Sequence, residues 1–262
     1  MKQRIVTGIV AGLAFFILLY LGGYWFTGLI AALAVIGYDE FLRMNGLKKN
    51  RLVEAVGYVG LLLLVIPWQL GGWSSGELIW LFMFAFLAAT VISKNKTTID
   101  QVAMAFLGMV YIGLGFHYMI ATRSIAEHGL FWTLLVFLCI WTTDSGAYFT
   151  GSKLGKTPLW PAISPKKSVE GAIGGVLLSI VMALIFAWSQ PELLSYGQAA
   201  WMGLAIAIIG QLGDLIQSAY KRVKGIKDSG TILPGHGGVL DRTDSWLIVF
   251  PFLHLLSLIP SA

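Results

Sequence analysis

The sequence predicts an all-α, polytopic integral membrane protein with about nine transmembrane helices and a cytoplasmic N-terminus. Composition supports this fold class, because 57% of the 262 residues are hydrophobic and only 12% are charged, against about 25% charged in a typical soluble domain. The mean hydropathy of the chain is +0.78. Apolar runs long enough to cross a bilayer also recur from one end of the chain to the other.

The first apolar run, near residues 5–23, is predicted to be an uncleaved span rather than a secretory signal. It is too long for the apolar core of a signal peptide and has no clear small-residue cleavage site. The predicted spans lie near residues 5–23, 25–42, 53–70, 77–93, 101–121, 129–150, 170–188, 198–219 and 244–260. No internal repeat or linker divides the chain, so we expect residues 1–262 to form a single transmembrane domain.

The basic residues predict the orientation of these spans. If the spans alternate, the N-terminus lies on the same side as the loops near 43–52, 94–100, 151–169 and 220–243. That side carries all but one of the 18 basic residues, and the exception is Arg123. Because cytoplasmic loops are enriched in Lys and Arg, we expect this side to face the cytoplasm and the protein to lie in the cell membrane. Topology alone accounts for many of these charges, but carboxylates and glycines accompany those of the last two loops.

The most polar stretch, residues 211–245, reads QLGDLIQSAYKRVKGIKDSGTILPGHGGVLDRTDS and separates the last two apolar runs. Charge at a membrane face must be solvated or used. Gln211, Asp214, Ser218 and Lys221 follow the spacing of one helical stripe. A polar stripe on a membrane helix faces the protein interior or a water-filled cavity, so we expect these side chains to line a cavity.

Four carboxylates are predicted to converge on one cavity at the cytoplasmic side. Asp144 lies near the cytoplasmic end of span six and Asp214 near that of span eight, while Asp241 and Asp244 lie where span nine begins. The spacing of the last two puts both side chains on one helical face if the helix has started there. Carboxylates together are hard oxygen ligands, which suit Mg²⁺ or Mn²⁺.

Basic residues and glycines in the same stretch favour a phosphorylated ligand. Lysine and arginine side chains suit phosphate oxygens, and the glycines around His236 allow backbone N–H groups to approach an anion closely. Metal, cations and a glycine turn together suit a nucleoside triphosphate or a phosphorylated lipid. The GxxxxGK[ST] nucleotide-binding motif is absent from the sequence. We expect no nucleic acid as a partner.

A second polar stretch, residues 144–175, contains Pro158, Pro161 and Pro165. These prolines favour an ordered, non-helical loop that ends where the helix of span seven starts. Residues 164–171, SPKKSVEG, resemble a helix N-terminus that presents lysines to phosphate. The alternative is a connecting loop whose lysines serve membrane topology.

Residues of the first stretch form a spaced pattern: Ser218-x-x-Lys221-Arg222, Lys227-Asp228, Pro234-Gly-His236-Gly-Gly238 and Asp241-Arg242-x-Asp244. This pattern resembles the signature of one known family, the phosphatidate cytidylyltransferases, also called CDP-diacylglycerol synthases. Residues 144–175 resemble the other polar region of the family. Across the two stretches there are small departures, since Ser168 stands where Thr is common and Thr231 where Asn is common. The resemblance implies the reaction CTP + phosphatidic acid → CDP-diacylglycerol + pyrophosphate, with Mg²⁺ as cofactor and the lipid bilayer as its setting.

The individual roles that follow are hypotheses. Asp214 and Asp241 are the first choices for metal ligands, and Asp244 and Asp144 come next. The expected catalytic residues are Lys221, Arg222, Lys227, Asp228, His236 and Arg242. The expected substrate-binding residues are Ser164, Lys166, Lys167, Ser218, Gly237 and Gly238. No covalent nucleophile is expected, because the second pKa of a phosphomonoester is roughly 6 and leaves the lipid phosphate mostly dianionic at neutral pH.

Some of these residues have a second interpretation. His236 either donates a hydrogen bond to phosphate or stabilises its turn. Asp228 could pair with Lys224 or Arg222, and Glu170 could cap its helix. Asp39 and Glu40 are expected to meet Arg43 rather than the metal.

Two other functions are alternatives. A lipid-alcohol kinase that uses CTP would need a base for the alcohol and would release CDP. A secondary transporter of an anionic solute would show inverted repeats and a midplane site, whereas here no repeat is evident and the charges lie at the cytoplasmic end. The sequence leaves open whether the chain forms a homodimer.

Overall fold

The computed structural model describes residues 2–48, 50–66, 73–230 and 237–260, the side chains of residues 2–7 excepted. The helices in these ranges are α1 (Lys2–Leu21), α2 (Gly23–Met44), α3 (Arg51–Val65), α4 (Ser75–Ile92), α5 (Ile99–Arg123), α6 (Gly129–Leu154), α7 (Val169–Ser189), α8 (Tyr196–Val223) and α9 (Leu240–Leu255). The strands β1 (Pro158–Trp160) and β2 (Ser164–Ser168) form an antiparallel hairpin between α6 and α7.

A helix covers most of each predicted span over the residues that the structure describes, so the helical fold class is confirmed there. The predicted ninth span runs to residue 260, whereas α9 ends at Leu255. Six helices, α2 and α4 to α8, are long and apolar enough to cross a membrane, and on this ground the chain is an integral membrane protein. The hairpin is a local departure from an all-α fold. The predicted third span reaches into residues 67–72, which lie outside the described residues, whereas α3 ends at Val65. The number of membrane crossings stays a prediction.

Polar side chains define the starts of several helices. Asn50 accepts a hydrogen bond from Val53 N at the start of α3. Ser74 and Ser195 form capping boxes at the starts of α4 and α8. Each cap satisfies a backbone N–H that has no partner within the helix and stabilises the helix by about 1 kcal/mol.

Contacts within the chain divide it into two compact units that are interleaved in sequence. Unit 1 comprises Met1–Ala121 and Asp228–Arg242, and unit 2 comprises Thr122–Lys227 and Thr243–Ala262. The short segment 228–242 thus leaves unit 2 to join unit 1 before the chain returns. The expectation of a single domain stays a prediction.

In unit 1, α1 packs on α2, α2 on α3, and α3 on α4. Tyr38 of α2 is fully buried, and its hydroxyl donates to the carbonyl oxygen of Ala105 in α5 at 3.1 Å. Gly57 of α3 provides the space that the Tyr38 ring occupies. A buried aromatic ring and its hydrogen bond therefore join three of the helices.

In unit 2, α6, α7 and α8 pack closely, and β2 contacts all three. The helix backbones approach each other at glycines. A Cβ at Gly146 of α6 would lie 2.9 Å from the carbonyl oxygen of Gly174 in α7, and one at Gly203 of α8 would lie 2.7 Å from Cα of Ile180. Small residues allow such close packing in membranes, where lipid supplies no hydrophobic drive between helices. This packing places the hairpin where α6 ends and α7 begins.

Candidate functional site

The second polar stretch forms the hairpin, which is fastened to α7. Pro158 of β1 lies opposite Ser168 of β2. Glu170, in the first turn of α7, accepts hydrogen bonds from Lys156 N at 3.1 Å, Thr157 N at 3.2 Å and Thr157 Oγ1 at 2.9 Å. Ser168 also caps α7 by accepting from a backbone N–H of its first turn. The predicted non-helical segment that ends at the start of span seven is confirmed.

The hairpin brings Lys167 to Asp214 of α8. Lys167 Nζ lies 2.6 Å from Asp214 Oδ2, and Ser218 Oγ donates to Asp214 Oδ1 at 3.2 Å. The side chains of Lys167 and Asp214 are 27% and 34% exposed, so solvent reaches the ion pair. The two polar stretches of the sequence therefore meet at this pair.

Two more predicted metal ligands lie within electrostatic reach of Asp214. The carboxylates of Asp144 in α6 and Asp244 in α9 are both repelled by that of Asp214. Lys167 offsets part of the negative charge at Asp144, and Lys221 does so at Asp244. Asp144, Asp214 and Asp244 all belong to unit 2, which thus collects three carboxylates and two ammonium groups.

Gly213 allows Asp244 to approach α8. A Cβ at Gly213 would lie 2.9 Å from the carbonyl oxygen of Asp244, so the backbones of α8 and α9 are in contact there. One turn away, Ser245 Oγ donates to the carbonyl oxygen of Gly210 at 2.9 Å. These contacts hold residues 244 and 245 of α9 against α8.

The carboxylates suit Mg²⁺ by their chemistry. No three His, Cys, Asp or Glu side chains within the described ranges lie close enough to hold one ion together. Mg²⁺ is usually bound through one or two carboxylates, with waters and substrate phosphates as its other ligands. Few carboxylates would therefore be needed, and the metal site stays a prediction.

Other residues predicted to bind substrate lie on the same elements. Arg222 Nε donates to the carbonyl oxygen of Ile163, between the two strands, at 3.2 Å. On β2, Ser164 is half-buried and Lys166 is exposed. Lys221 is half-buried on α8. The hairpin and the end of α8 thus present several cations beside the carboxylates.

Gln217 adds an unsatisfied donor to this face of α8. It follows Asp214 by three residues and precedes Lys221 by four, so the three share one helical face. Its side chain is only 4% exposed, and its Nε2 has no hydrogen-bond partner among the described residues. A buried donor without a partner costs about 1–3 kcal/mol.

Asp241, a first-choice metal ligand, belongs to unit 1 and has its own partners there. Its Oδ2 accepts hydrogen bonds from Ser229 N at 2.7 Å, Ser229 Oγ at 3.0 Å and Gly238 N at 3.0 Å. Since α9 begins at Leu240, Asp241 and Asp244 both lie in the helix. The convergence of Asp241 with the other three carboxylates stays a prediction.

The remaining predicted residues lie along the segment that follows α8. Lys227, Asp228 and Arg242 are exposed. Gly237 has a φ of +82°, a left-handed conformation that glycine adopts without strain. His236 lies outside the described residues, so both of its predicted roles stay predictions.

Asp39 and Glu40, near the end of α2, have different partners. Asp39 meets Arg43 at 2.6 Å, as predicted, and also binds Lys48 at 2.5 Å. The hydrogen bond from Lys48 to Asp39 raises the pKa of Lys48 above the usual value for a lysine. The expectation that Glu40 meets Arg43 as well is wrong, because Glu40 turns to the segment 228–242 instead.

The sequence patterns do not single out Glu40, because its partners are distant in the chain. Its carboxylate accepts hydrogen bonds from Val239 N at 2.9 Å and Leu240 N at 3.0 Å. One local signal was available. Gly37 lies three residues before Glu40 on the same helical face and provides the space into which the Leu240 side chain packs.

Comparison with known proteins agrees with these features. Residues 2–259 match the family model described as the cytidylyltransferase family. The phosphatidate cytidylyltransferase of Bacillus subtilis (strain 168) is 44% identical to the chain, over 98% of the chain and 97% of the relative. The proteins of the same name from Staphylococcus saprophyticus and Staphylococcus aureus (strain COL) are 39% and 38% identical, over 98% of each chain. The resemblance indicated by the signature residues is thereby confirmed, and the chain belongs to the cytidylyltransferase family.

Proposed function

We propose that the chain transfers the cytidylyl group of CTP to phosphatidic acid, which yields CDP-diacylglycerol and pyrophosphate for phospholipid biosynthesis. Relatives that are 38–44% identical over nearly the whole chain carry the name phosphatidate cytidylyltransferase. The structural observation that carries the proposal is the 2.6 Å ion pair between Lys167 and Asp214. It joins the two polar stretches in one site that offers both cations and carboxylates.

The chemistry of the substrates requires such a site. An oxygen of the lipid phosphate attacks the α-phosphorus of CTP, and the bond from that phosphorus to pyrophosphate breaks. The attacking phosphate is mostly dianionic at neutral pH, since its second pKa is roughly 6, and it needs no strong base. The difficulty is to hold two polyanions together. Lys167, Lys221 and Arg222 would contact their phosphates and offset that repulsion.

We propose Mg²⁺, or Mn²⁺ in its place, as the cofactor. Asp214, with Asp144 or Asp244, would hold the ion, and Asp241 is the fourth proposed ligand. When bound, the ion supplies positive charge to phosphate oxygens. Lys167, which already pairs with one oxygen of Asp214, would keep the carboxylate oriented and remain close to the substrate phosphates.

A polar substrate would also satisfy Gln217. Its buried amide nitrogen lacks a partner among the described residues, and it shares a helical face with Asp214 and Lys221. An acceptor atom of the nucleotide, on its phosphates, sugar or base, would complete its hydrogen bonding. The unsatisfied donor supports a ligand with oxygen or nitrogen acceptors in this part of unit 2.

The topology belongs to the same proposal. About nine spans with a cytoplasmic N-terminus would put the basic hairpin and residues 218–244, here called the signature segment, at the cytoplasmic face of the cell membrane. The distribution of basic residues along the sequence supports this orientation. CTP would then reach the site from the cytoplasm, and phosphatidic acid from the inner leaflet.

The test is product analysis with purified protein. We expect CTP, Mg²⁺ and phosphatidic acid to give CDP-diacylglycerol and pyrophosphate in equal amounts, and chelation of the metal to stop the reaction. Release of CDP with diacylglycerol as the acceptor would overturn the proposal in favour of the kinase. Uptake of an anionic solute into vesicles without turnover of CTP would overturn it in favour of a transporter.

A further inference from the structure

Glu40 is a buried carboxylate that the proposed chemistry leaves unexplained. It lies near the end of α2 and is only 2% exposed. Burial of a carboxylate is costly unless hydrogen bonds replace its water. Here Ser229 Oγ, Val239 N and Leu240 N, at 2.9, 2.9 and 3.0 Å, are its donors. Two of them are backbone N–H groups at the start of α9, where the helix dipole also favours negative charge.

All three donors belong to the signature segment. Ser229 precedes residues 231–236, and Val239 and Leu240 follow them. One side chain of α2 therefore holds the chain on both sides of residues 231–236. Because Glu40 and residues 228–242 belong to the same unit, these contacts are internal to unit 1.

Two glycines of the segment make this approach sterically feasible. A Cβ at Gly230 would lie 2.7 Å from Cδ of Glu40, and a Cβ at Gly238 would lie 2.6 Å from the same atom. Any side chain at either position would displace the carboxylate from its donors. The two glycines thus leave the room that the Glu40 carboxylate occupies.

Ser229 links Glu40 to Asp241. Its Oγ lies 2.9 Å from Glu40 Oε2 and 3.0 Å from Asp241 Oδ2. A hydroxyl has one proton and can donate to only one of these carboxylates at a time. The backbone N–H groups of Ser229 and Gly238 also donate to Asp241. Asp241 is therefore oriented by Ser229, which Glu40 also contacts, and by Gly238, which precedes the Glu40 partner Val239 in the chain.

From this geometry we infer that Glu40 is a positioning residue for cytidylyl transfer, which holds Ser229, Val239 and Leu240 so that Asp241 is presented in a fixed orientation. The inference rests on the proposed role of Asp241 as a metal ligand. Glu40 touches no substrate in this role. It acts through Ser229 and through the start of α9.

The test compares Glu40→Gln with Glu54→Gln in the purified full-length protein. Glutamine keeps the size of the side chain but replaces one acceptor oxygen by a donor that faces N–H or O–H groups. Loss of a group that supports a metal ligand typically costs about 10- to 100-fold in activity or metal affinity. We expect Glu40→Gln to lower kcat by about this factor and to raise the Mg²⁺ concentration needed for half-maximal activity. Glu54, in the same unit, contacts Lys48 at 3.4 Å, and Glu54→Gln should leave both quantities unchanged.

A second readout needs no metal and no turnover. Hydrogen exchange of metal-free protein should be faster at the amides of Val239 and Leu240 in Glu40→Gln, and unchanged at Val249 and Phe250, which lie later in α9. A purely structural role would instead lower the active fraction with the Mg²⁺ requirement unaltered, and that outcome overturns the inference.

The premise and the inference can fail separately. Full activity of Asp241→Asn would remove Asp241 from the site and with it the basis of the inference. An inactive Asp241→Asn alongside a Glu40→Gln with normal kcat and Mg²⁺ requirement would overturn the role of Glu40 alone. If Glu40→Gln does not fold, Ser229→Ala decides, because it removes only the hydroxyl between the two carboxylates. An unchanged Mg²⁺ requirement in that variant overturns the inference.

Discussion

Lys167 and Asp214 form an ion pair that is expected to contribute little to the free energy of folding and much to the rate of the reaction. Both side chains are partly exposed, so water screens their attraction and the pair contributes about 0–1 kcal/mol to folding. A cation that contacts a phosphate can stabilise the transition state by about 3 kcal/mol, several times the contribution of the ion pair to folding. The same residue is thus expected to be dispensable for the fold and necessary for turnover.

Lys167→Ala is the corresponding residue-scale prediction. We expect kcat/KM to fall by at least about 100-fold, because a phosphate contact is lost, while the melting temperature in detergent changes little. The matched control is Lys153→Ala, since Lys153 is an exposed lysine at the end of α6 outside the proposed site. Normal kinetics of Lys167→Ala would contradict the phosphate-contact role.

Gln217→Met tests the unsatisfied donor. Methionine is similar in size and needs no hydrogen bond, so the free energy of unfolding of the substrate-free protein should stay the same or rise by about 1 kcal/mol. The KM for CTP should rise, because the proposed acceptor loses its donor. A melting temperature that falls, together with an unchanged KM, would indicate that Gln217 serves packing alone.

At the scale of secondary-structure elements, the helices could be predicted because length and apolarity are properties of the residues themselves. The hairpin could not, since Pro158, Pro161 and Pro165 exclude a helix without specifying which strands pair. The hydrogen-bond partners of Glu40 could not be predicted from the sequence either. Spacing within α2 favours an ion pair with Arg43, but Asp39 forms it, and the donors of Glu40 lie in a distant segment.

The contact between α8 and α9 supplies an element-scale prediction. Gly213→Ala would place a Cβ 2.9 Å from the carbonyl oxygen of Asp244 and push the two helices apart. Overpacking of this kind costs about 1–3 kcal/mol, and activity should fall with stability because Asp244 moves away from Asp214. Gly197→Ala in the same helix is the control.

Gly197 has nothing within 4 Å of the position that a Cβ would occupy. Because alanine is the better helix former, this substitution should raise the free energy of unfolding by up to about 1 kcal/mol. The two variants therefore carry the same chemical change with opposite expected signs, and thermal unfolding measures both. A stable, active Gly213→Ala would show that α8 and α9 can separate there without harm.

At the scale of the whole molecule, the orientation in the membrane can be tested with single cysteines. The native Cys139 is buried, so a Cys139→Ala background is suitable. In this background, Lys96→Cys should react with an impermeant maleimide only from the cytoplasmic side, and Glu192→Cys only from the outside. Both positions are exposed. Labelling of both from the same side would contradict the predicted alternation of spans.

The bond between Glu40 and Ser229 joins residues 189 positions apart in the chain, which has a consequence for biogenesis. A ribosome releases α2 into the bilayer long before it synthesises the serine hydroxyl and the two backbone N–H groups that donate to the Glu40 carboxylate. Until the last helix arrives, the Glu40 side chain lacks the three hydrogen-bond donors that surround it in the folded protein. Chains truncated before residue 228 should therefore be recognised as incomplete and degraded. In a pulse-chase experiment in cells, the truncated chain that keeps Glu40 should have a shorter half-life than the same truncated chain with the substitution Glu40→Leu.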